Sequence, residues 1–368
     1  MPAPFRADHV GSLLRPPELI DAHERHLEGK IDRAALRAVE DKYVRHAVAL
    51  QEQAGLHAVT DGEFRRMSFH FDFLDQLDGV SAVIGRAPEP SASGEPKAFT
   101  PPTLSITGKV RHVRPIEVEG FRFLKAATSR TPKQTIPSPT MLLRGERGAL
   151  DSKIYPDRDA FYDDVAKAYR AEIKALADAG CRYLQLDDTN FAYLCDGAMR
   201  EAARQRGEDP DERQHHFAAV INAALAEKPA DMVVCMHVCR GNMQSRWAAS
   251  GGYEPVADVM FNKVDVDGYF LEFDSERAGG FEPLRHLPSH KRVVLGLISS
   301  KLDRMESAEE ITRRIDDAVR FAPLDNLCLS PQCGFASSFR GNDVSEDVER
   351  RKFASVVEIA TAVWGGPQ

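Results

Sequence analysis

No stretch of the 368-residue chain approaches the roughly 20 consecutive apolar residues that a membrane-spanning helix needs. The opening residues, MPAPFRADHVGS, also lack the apolar centre of a secretory signal, so a soluble, cytoplasmic protein is expected. Positive charge is not in excess: 48 Lys and Arg against 56 Asp and Glu leave a formal charge of -8, the wrong sign for displacing counterions from nucleic acid. Cysteine is sparse. Six of them, spread through a chain of this length without an export signal, read as reduced thiols rather than a disulfide framework. Glycine-rich phosphate loops are missing as well, since neither Gly55-Leu56-His57 nor Gly279-Gly280 leads into a helix as such a loop would. Nucleotide use therefore has no support. There is no internal repeat and no coiled-coil heptad. What is present, 43% hydrophobic and 28% charged residues, is a globular composition that excludes wholesale disorder.

Short β-rich runs alternate with longer helical patterns, the sequence form of a parallel sheet wound with helices. Eight strands are predicted: Arg6 to Val10, Ala58 to Thr60, Thr135 to Pro137, Tyr183 to Leu186, Met232 to Val238, Tyr269 to Phe273, Val293 to Ile298 and Leu327 to Leu329. Between them run apolar stripes at helical spacing, such as Phe161, Val165, Tyr169, Ile173 and Leu176. Asp32 is placed to cap one helix, Ser307 with Glu310 to make a capping box, and Gly55 and Gly180 to end helices in the left-handed turn. The fold class is α/β, and its length suits a single (β/α)8 TIM barrel over residues 1–368. Residues 80–130 break the alternation as a β-rich insertion between strands two and three. Within it Arg86 to Pro102 is rich in Pro, Ser, Ala and Gly, and Ile106 to Leu124 reads as a hairpin or two, a flap near the site.

The sharpest chemical feature is Cys235-Met236-His237-Val238-Cys239 in an apolar run. Residues two apart on a strand share a face, so His237 and Cys239 can reach one atom, with Cys235 one step deeper. The motif alone equally fits a buried strand of small soft residues. Two further groups shift the balance. Glu272 lies in Tyr-Phe-Leu-Glu-Phe, where an ionised carboxylate is expensive unless it is paired or metal-bound. Cys333 follows the last strand in a Pro- and Gly-shaped turn. All four belong at or beyond the carboxyl ends of strands five, six and eight, the face where barrel enzymes keep their sites. A nitrogen, two thiolates and a carboxylate favour Zn2+ over magnesium or calcium.

The chain resembles the cobalamin-independent methionine synthase family, in its catalytic carboxyl-terminal barrel and short single-barrel homologues. The resemblance spans nearly the whole chain. It rests on Asp8-His9-Val10-Gly11-Ser12, Asp61-Gly62-Glu63 with Arg65-Arg66, Leu184-Gln185-Leu186-Asp187-Asp188, His237-x-Cys239, Glu272 and Pro331-Gln332-Cys333-Gly334. The resemblance implies that His237, Cys239, Glu272 and Cys333 bind a catalytic zinc. It also implies that Glu63 and Asp187 bind the ammonium of homocysteine while Ser12 and the backbone near Gly11 hold its carboxylate. For either acid, a salt bridge with Arg65 or Arg66 is the alternative. His9 is assigned to the pocket lining, with a hydrogen bond to a backbone carbonyl as its other reading.

The physical logic of such a site is thiol activation. Zinc lowers a thiol's pKa, and two cysteinates and a glutamate leave the bound sulfur electron-rich enough to attack an alkyl carbon. A zinc-dependent methyl transfer to a thiol, homocysteine giving methionine, is expected, with a small thiol and a methyl donor as partners and no nucleic acid or membrane. A homo-oligomer stays open. The synthase carries a histidine after its seventh strand, whereas this chain reads Gly296-Leu297-Ile298-Ser299-Ser300-Lys301. Lys301 is therefore assigned to proton donation or donor binding, although an ordinary lysine is a poor acid at neutral pH, and the donor, methyltetrahydrofolate or another, is open. Rival readings are an alkyltransferase acting on coenzyme M, a zinc hydrolase and a non-catalytic zinc or thiol sensor. Coenzyme M lacks an ammonium for Glu63 and Asp187, and the hydrolase predicts a His-x-His pair that Asp8-His9-Val10 does not supply. Asp188, Cys181, Cys195, Cys328 and the His215-His216 pair are read as structural, and Trp247 and Phe335 as packing or donor-pocket walls.

Overall fold

The computed structural model describes residues 3–83, 103–147, 150–242, 245–336 and 339–367. Its strands are β1 (Ala58–Val59), β2 (Asp78–Val83), β3 (Thr103–Arg111), β4 (Thr131–Pro132), β5 (Gln134–Pro137), β6 (Tyr183–Asp188), β7 (Val233–Val238), β8 (Gly268–Glu272), β9 (Arg292–Ile298) and β10 (Leu327–Pro331). From β5 to β10 they form one parallel sheet in chain order, the arrangement that helical crossovers impose. The series extends at both ends. Beyond β10, Ala7 bridges Leu329 in parallel, with Asp8 N donating to Leu329 O at 3.0 Å. Beyond β5, the contiguous β4 pairs with β1 in parallel. The two ends of the series meet where the His9 ring reaches Ala58 O at 3.3 Å, Thr60 Oγ1 donates to Gly11 O at 2.6 Å and Leu13 N to Gly62 O at 3.1 Å. Seven of the eight predicted segments are strands, while the first, Arg6 to Val10, is reduced to the single bridge at Ala7.

The helices cover one face of the strands for the reason their spacing predicts. In the helix Arg158–Asp178 the stripe Phe161, Val165, Tyr169, Ile173 and Leu176 is buried, and Asp157 caps its start through Ala160 N. Asp32 likewise accepts from Ala35 N, and Gly55 and Gly180 adopt positive φ of 90° and 94°. The capping box closes by half: Ser307 accepts from Glu310 N, while the Glu310 carboxylate pairs with Arg304 instead. Strand side chains pointing away from the helices form a separate inner cluster that includes Val10, Ala58, Tyr183, Cys235, Phe270 and Val294. Among the described residues no helix is long and apolar enough to cross a membrane.

The insertion differs from its prediction in part. β2 and β3 form an antiparallel ribbon, but Val118–Ala127 is a helix, so Ile106 to Leu124 is one strand and the start of a helix rather than hairpins. The reason is the change of period: burial falls on Val118, Phe121 and Leu124, three residues apart. The segment Arg86 to Pro102 lies wholly within residues 84–102, outside the described residues.

Candidate active site

β7 carries the first two metal-ligand candidates to one end of the sheet. His237 is buried on the strand, and its Nδ1 lies 3.2 Å from Phe270 O of β8. A carbonyl only accepts, so Nδ1 carries a proton and Nε2 is the ring nitrogen left to face the other candidate ligands. Among the described residues that Nε2 is buried with no hydrogen-bond partner, a position that suits a metal-binding nitrogen. Cys239, one residue past the strand, is tied down by its N donating to Asp188 O at 2.7 Å.

The other two arrive from distant elements. Glu272 ends β8, and Cys333 sits in the turn after β10. That turn approaches closely because Gly296 has no side chain: a Cβ there would lie 2.7 Å from Gln332 Cα and 2.8 Å from Leu271 O. Ligand atoms of His237, Cys239, Glu272 and Cys333 all lie within 4.8 Å of one another, and all four residues are buried. Cys235, in contrast, faces the inner cluster and is not part of this group.

The electrostatics suit a cation. Cys239 Sγ and Cys333 Sγ are 3.5 Å apart, and Gly241 N donates to Cys239 Sγ at 3.3 Å. The hydrogen bond between them holds the Cys333 thiol well below its ordinary pKa and pushes Cys239 well above it. Burial alone would raise Glu272, yet Lys301, the Arg240 amide, Arg277 and His237 outweigh it and hold the carboxyl down at about 2. Both carboxylate oxygens are engaged: Oε1 by Arg240 N at 2.6 Å, Oε2 by Gln332 Nε2 at 2.9 Å, Arg277 at 3.3 Å and Lys301 Nζ at 3.7 Å. Lys301 is thereby placed as a counter-ion behind Glu272, and it also donates to Gly241 O at 3.3 Å. The buried orphan nitrogen, the paired thiols and the ionised carboxylate fit a zinc ion.

A second acidic group lies beside the first. Asp187 pairs in register with His237 across β6 and β7, and its Oδ1 accepts from Gln185 Nε2 at 2.7 Å. Burial and the nearby Glu63 push its carboxyl up to about 7. Glu63 is also raised, chiefly by burial against the opposing pull of Arg66 and Thr135. Its backbone is held at φ 60° by Asp61 Oδ1, which accepts from Glu63 N at 2.8 Å, and by Arg15, which donates to Glu63 O at 2.8 Å. Gly11 and Ser12 lie between the two groups. A Cβ on Gly11, at φ 131°, would meet Thr135 Cγ2 at 2.7 Å and Glu63 Oε1 at 3.7 Å, whereas one on Gly334 would strike Ser12 Oγ at 1.9 Å. The salt-bridge alternative holds for Glu63, whose Oε1 is 3.7 Å from Arg66 Nη1, while Arg65 pairs with Glu40 and Asp41.

Other predicted residues fall elsewhere. His9 faces out of the strands, packing on Phe353 at 5.3 Å with its ring on the Ala58 carbonyl, and is not brought to the carboxylates. Burial holds its pKa down to about 4, so the ring is neutral. Asp188 accepts from Thr140 and from Phe191 N. His216 and the exposed His215 sit on the helix Pro210–Leu225. Phe335 is buried against Phe353, and the exposed Trp247 lies 4.5 Å over the Arg277 guanidinium. Sequence reasoning missed Gln332, Arg277, Thr135 and Glu117. Of these only Gln332, inside the Pro-Gln-Cys-Gly turn, carried a signal.

Comparison with known proteins agrees with this geometry. A family model described as the cobalamin-independent synthase catalytic domain matches residues 5–355. The uncharacterized protein YxjH of Bacillus subtilis (strain 168) is 44% identical over 364 residues, covering 98% of this chain and 95% of its own length. The methionine synthase of Pyrococcus horikoshii is 26% identical over 332 residues, with 88% of this chain and 84% of its own covered. Among solved structures, a putative vitamin-B12 independent methionine synthase from Listeria monocytogenes is 38% identical, with a TM-score of 0.79 and 99% of both chains covered. With matched residues, fold and relatives in agreement, the chain belongs to the cobalamin-independent methionine synthase family, a family of methyltransferases, through its catalytic domain.

Proposed function

We propose that the chain is a single closed (β/α)8 barrel, with residues 80–130 as its insertion, that transfers a methyl group to the thiol of homocysteine and yields methionine with the help of zinc. The observation that carries this reading is the group of four buried ligands, within 4.8 Å of one another, beside two acids of raised pKa. His237 Nε2, Cys239, Glu272 and Cys333 would hold the metal. When bound, zinc supplies the Lewis acidity that keeps an alkyl thiol ionised, and hence nucleophilic, at neutral pH.

The rest of the work falls to the chain itself. Glu63 and Asp187 are two buried carboxylates whose mutual repulsion an ammonium relieves, which selects an amino-acid thiol over coenzyme M. Ser12 and the backbone at Gly11 stand beside them to take the carboxylate. Lys301, Arg277 and Gln332 fix the Glu272 carboxylate by ion pairs and a hydrogen bond. Burial of the whole group excludes water, so the sulfur meets the methyl carbon rather than a proton.

The test is a matrix of thiols and donors on zinc-loaded protein: homocysteine and coenzyme M against methyltetrahydrofolates, methylcobalamin and simple methylated compounds. Methionine is expected in the homocysteine row and its formation should stop on zinc removal. Turnover confined to coenzyme M, or full rates without metal, would overturn the reading.

A further inference from the structure

Glu63 is joined to the insertion by a chain of polar contacts that the proposed chemistry does not use. Its Oε1 accepts from Thr135 Oγ1 at 2.8 Å. The same hydroxyl accepts from Arg66 Nη1 at 3.1 Å, and Arg66 Nη2 donates to Thr135 O. A guanidinium only donates, so the Thr135 proton is forced towards Glu63. On its far side Arg66 Nε lies 3.2 Å from Glu117, closer than the 3.7 Å that separates its Nη1 from Glu63. These are the two carboxylates paired with Arg66 among the described residues.

Glu117 immediately precedes the helix Val118–Ala127 and is itself held in place. Glu172, fully buried on the helix Arg158–Asp178, accepts from Glu117 N at 2.7 Å, Ile116 N at 2.9 Å and His112 Nε2 at 2.6 Å. Three donors on one buried carboxylate fix the path of this segment and hence the reach of the Glu117 side chain. Nothing in the local sequence of Glu117 required this; the fold spends a buried anion to hold it there.

We propose that Glu117 is a positioning residue for substrate recognition: it draws Arg66 to the outer side of Thr135 and so keeps Glu63 open to an ammonium. The inference rests on the proposed role of Glu63 and deepens it by giving the insertion a part in selecting amino acids over their amine-free analogues. Without the Glu117 charge, Glu63 is the carboxylate left to Arg66. The guanidinium then closes on Glu63 and competes with the ligand's ammonium. Thr135 serves the same end from the other side, since its hydroxyl separates the two and aims the Glu63 oxygen.

The experiment is calorimetric binding of L-methionine and of 4-(methylthio)butanoate, which lacks the amine, to zinc-loaded protein, so that no methyl donor is needed. In Glu117→Gln, affinity for methionine should fall about tenfold, equivalent to ~1.4 kcal/mol, with the amine-free ligand and the zinc content unchanged. Thr135→Val, nearly isosteric, should show the same selective loss and serves where the first variant fails to fold. An equal loss for both ligands, or unchanged selectivity in a folded variant, would overturn the proposal. If the wild-type protein itself does not prefer methionine, the ammonium site at Glu63 and Asp187 fails, and that outcome is distinguishable from failure of Glu117 alone.

Discussion

Cys239 and Cys333, 94 residues apart in the chain, bring their sulfurs to 3.5 Å in a buried site that also holds His237 Nε2. Two thiols so close cannot both ionise unless a cation lies between them.

Replacing either sulfur should therefore remove the metal rather than the fold. Cys333→Ser and Cys239→Ser are expected to lose stoichiometric zinc and methyl transfer together, because an alcohol neither ionises near neutral pH nor matches a thiolate's softness. Helical content should stay within error of the parent. Metal analysis beside far-UV circular dichroism checks this, and a variant that retains full zinc would remove the sulfur from the ligand set.

On the proposed role of Asp187, methionine binding should depend on pH. Burial and Glu63 push its carboxyl up to about 7, so it ionises as pH rises through neutrality. Methionine affinity should accordingly rise several-fold between pH 6 and pH 8, with the ligand's ammonium charged throughout, and the rise should be absent in Asp187→Asn. Stability has the opposite sign. A carboxyl with a folded-state pKa above its unfolded value of roughly 3.9 binds protons preferentially in the folded chain, so its contribution is complete below that value and is lost as pH climbs to about 7. Urea titrations at pH 5 and pH 8 should show Asp187→Asn gaining on wild type at the higher pH.

Lys133 is a buried cation inside the strand series. Its Nζ lies 3.2 Å from Asp8 Oδ1, donates to His9 O at 2.5 Å and packs 3.9 Å over the Phe270 ring. Tyr183 donates to the other Asp8 oxygen at 2.7 Å. Lys133→Met leaves a buried carboxylate without its cation and should cost about 3–5 kcal/mol in urea denaturation. The double variant with Asp8→Asn should recover a large part of that loss, and simple additivity would show that the pair is not coupled.

Strand parity and the cost of burying an acid made His237, Cys239 and Glu272 readable as ligand candidates, because both depend on a few neighbouring residues. Cys333 was readable from the Pro and Gly around it and from its place after the last strand. For His9 the structure has the second of the two readings, a ring on a backbone carbonyl, and places it on the side opposite Val10; a short irregular segment gave no phase to choose between them. The helix at Val118–Ala127 was hidden because a hairpin and a helix share the same apolar content over so few residues.

By itself, then, the order of residues pointed to the parallel strand plan, the helix caps and the four candidate donors, since each follows from spacing along the backbone and from side-chain chemistry. Only the folded chain decided that four donors from β7, β8 and the turn after β10 meet within 4.8 Å. The same holds for Lys301 standing behind Glu272, and for an acid from the insertion gripping Arg66. Such meetings depend on crossovers and close backbone approaches, Gly296 against the Cys333 turn among them, and no local pattern encodes how far apart two distant segments come to rest.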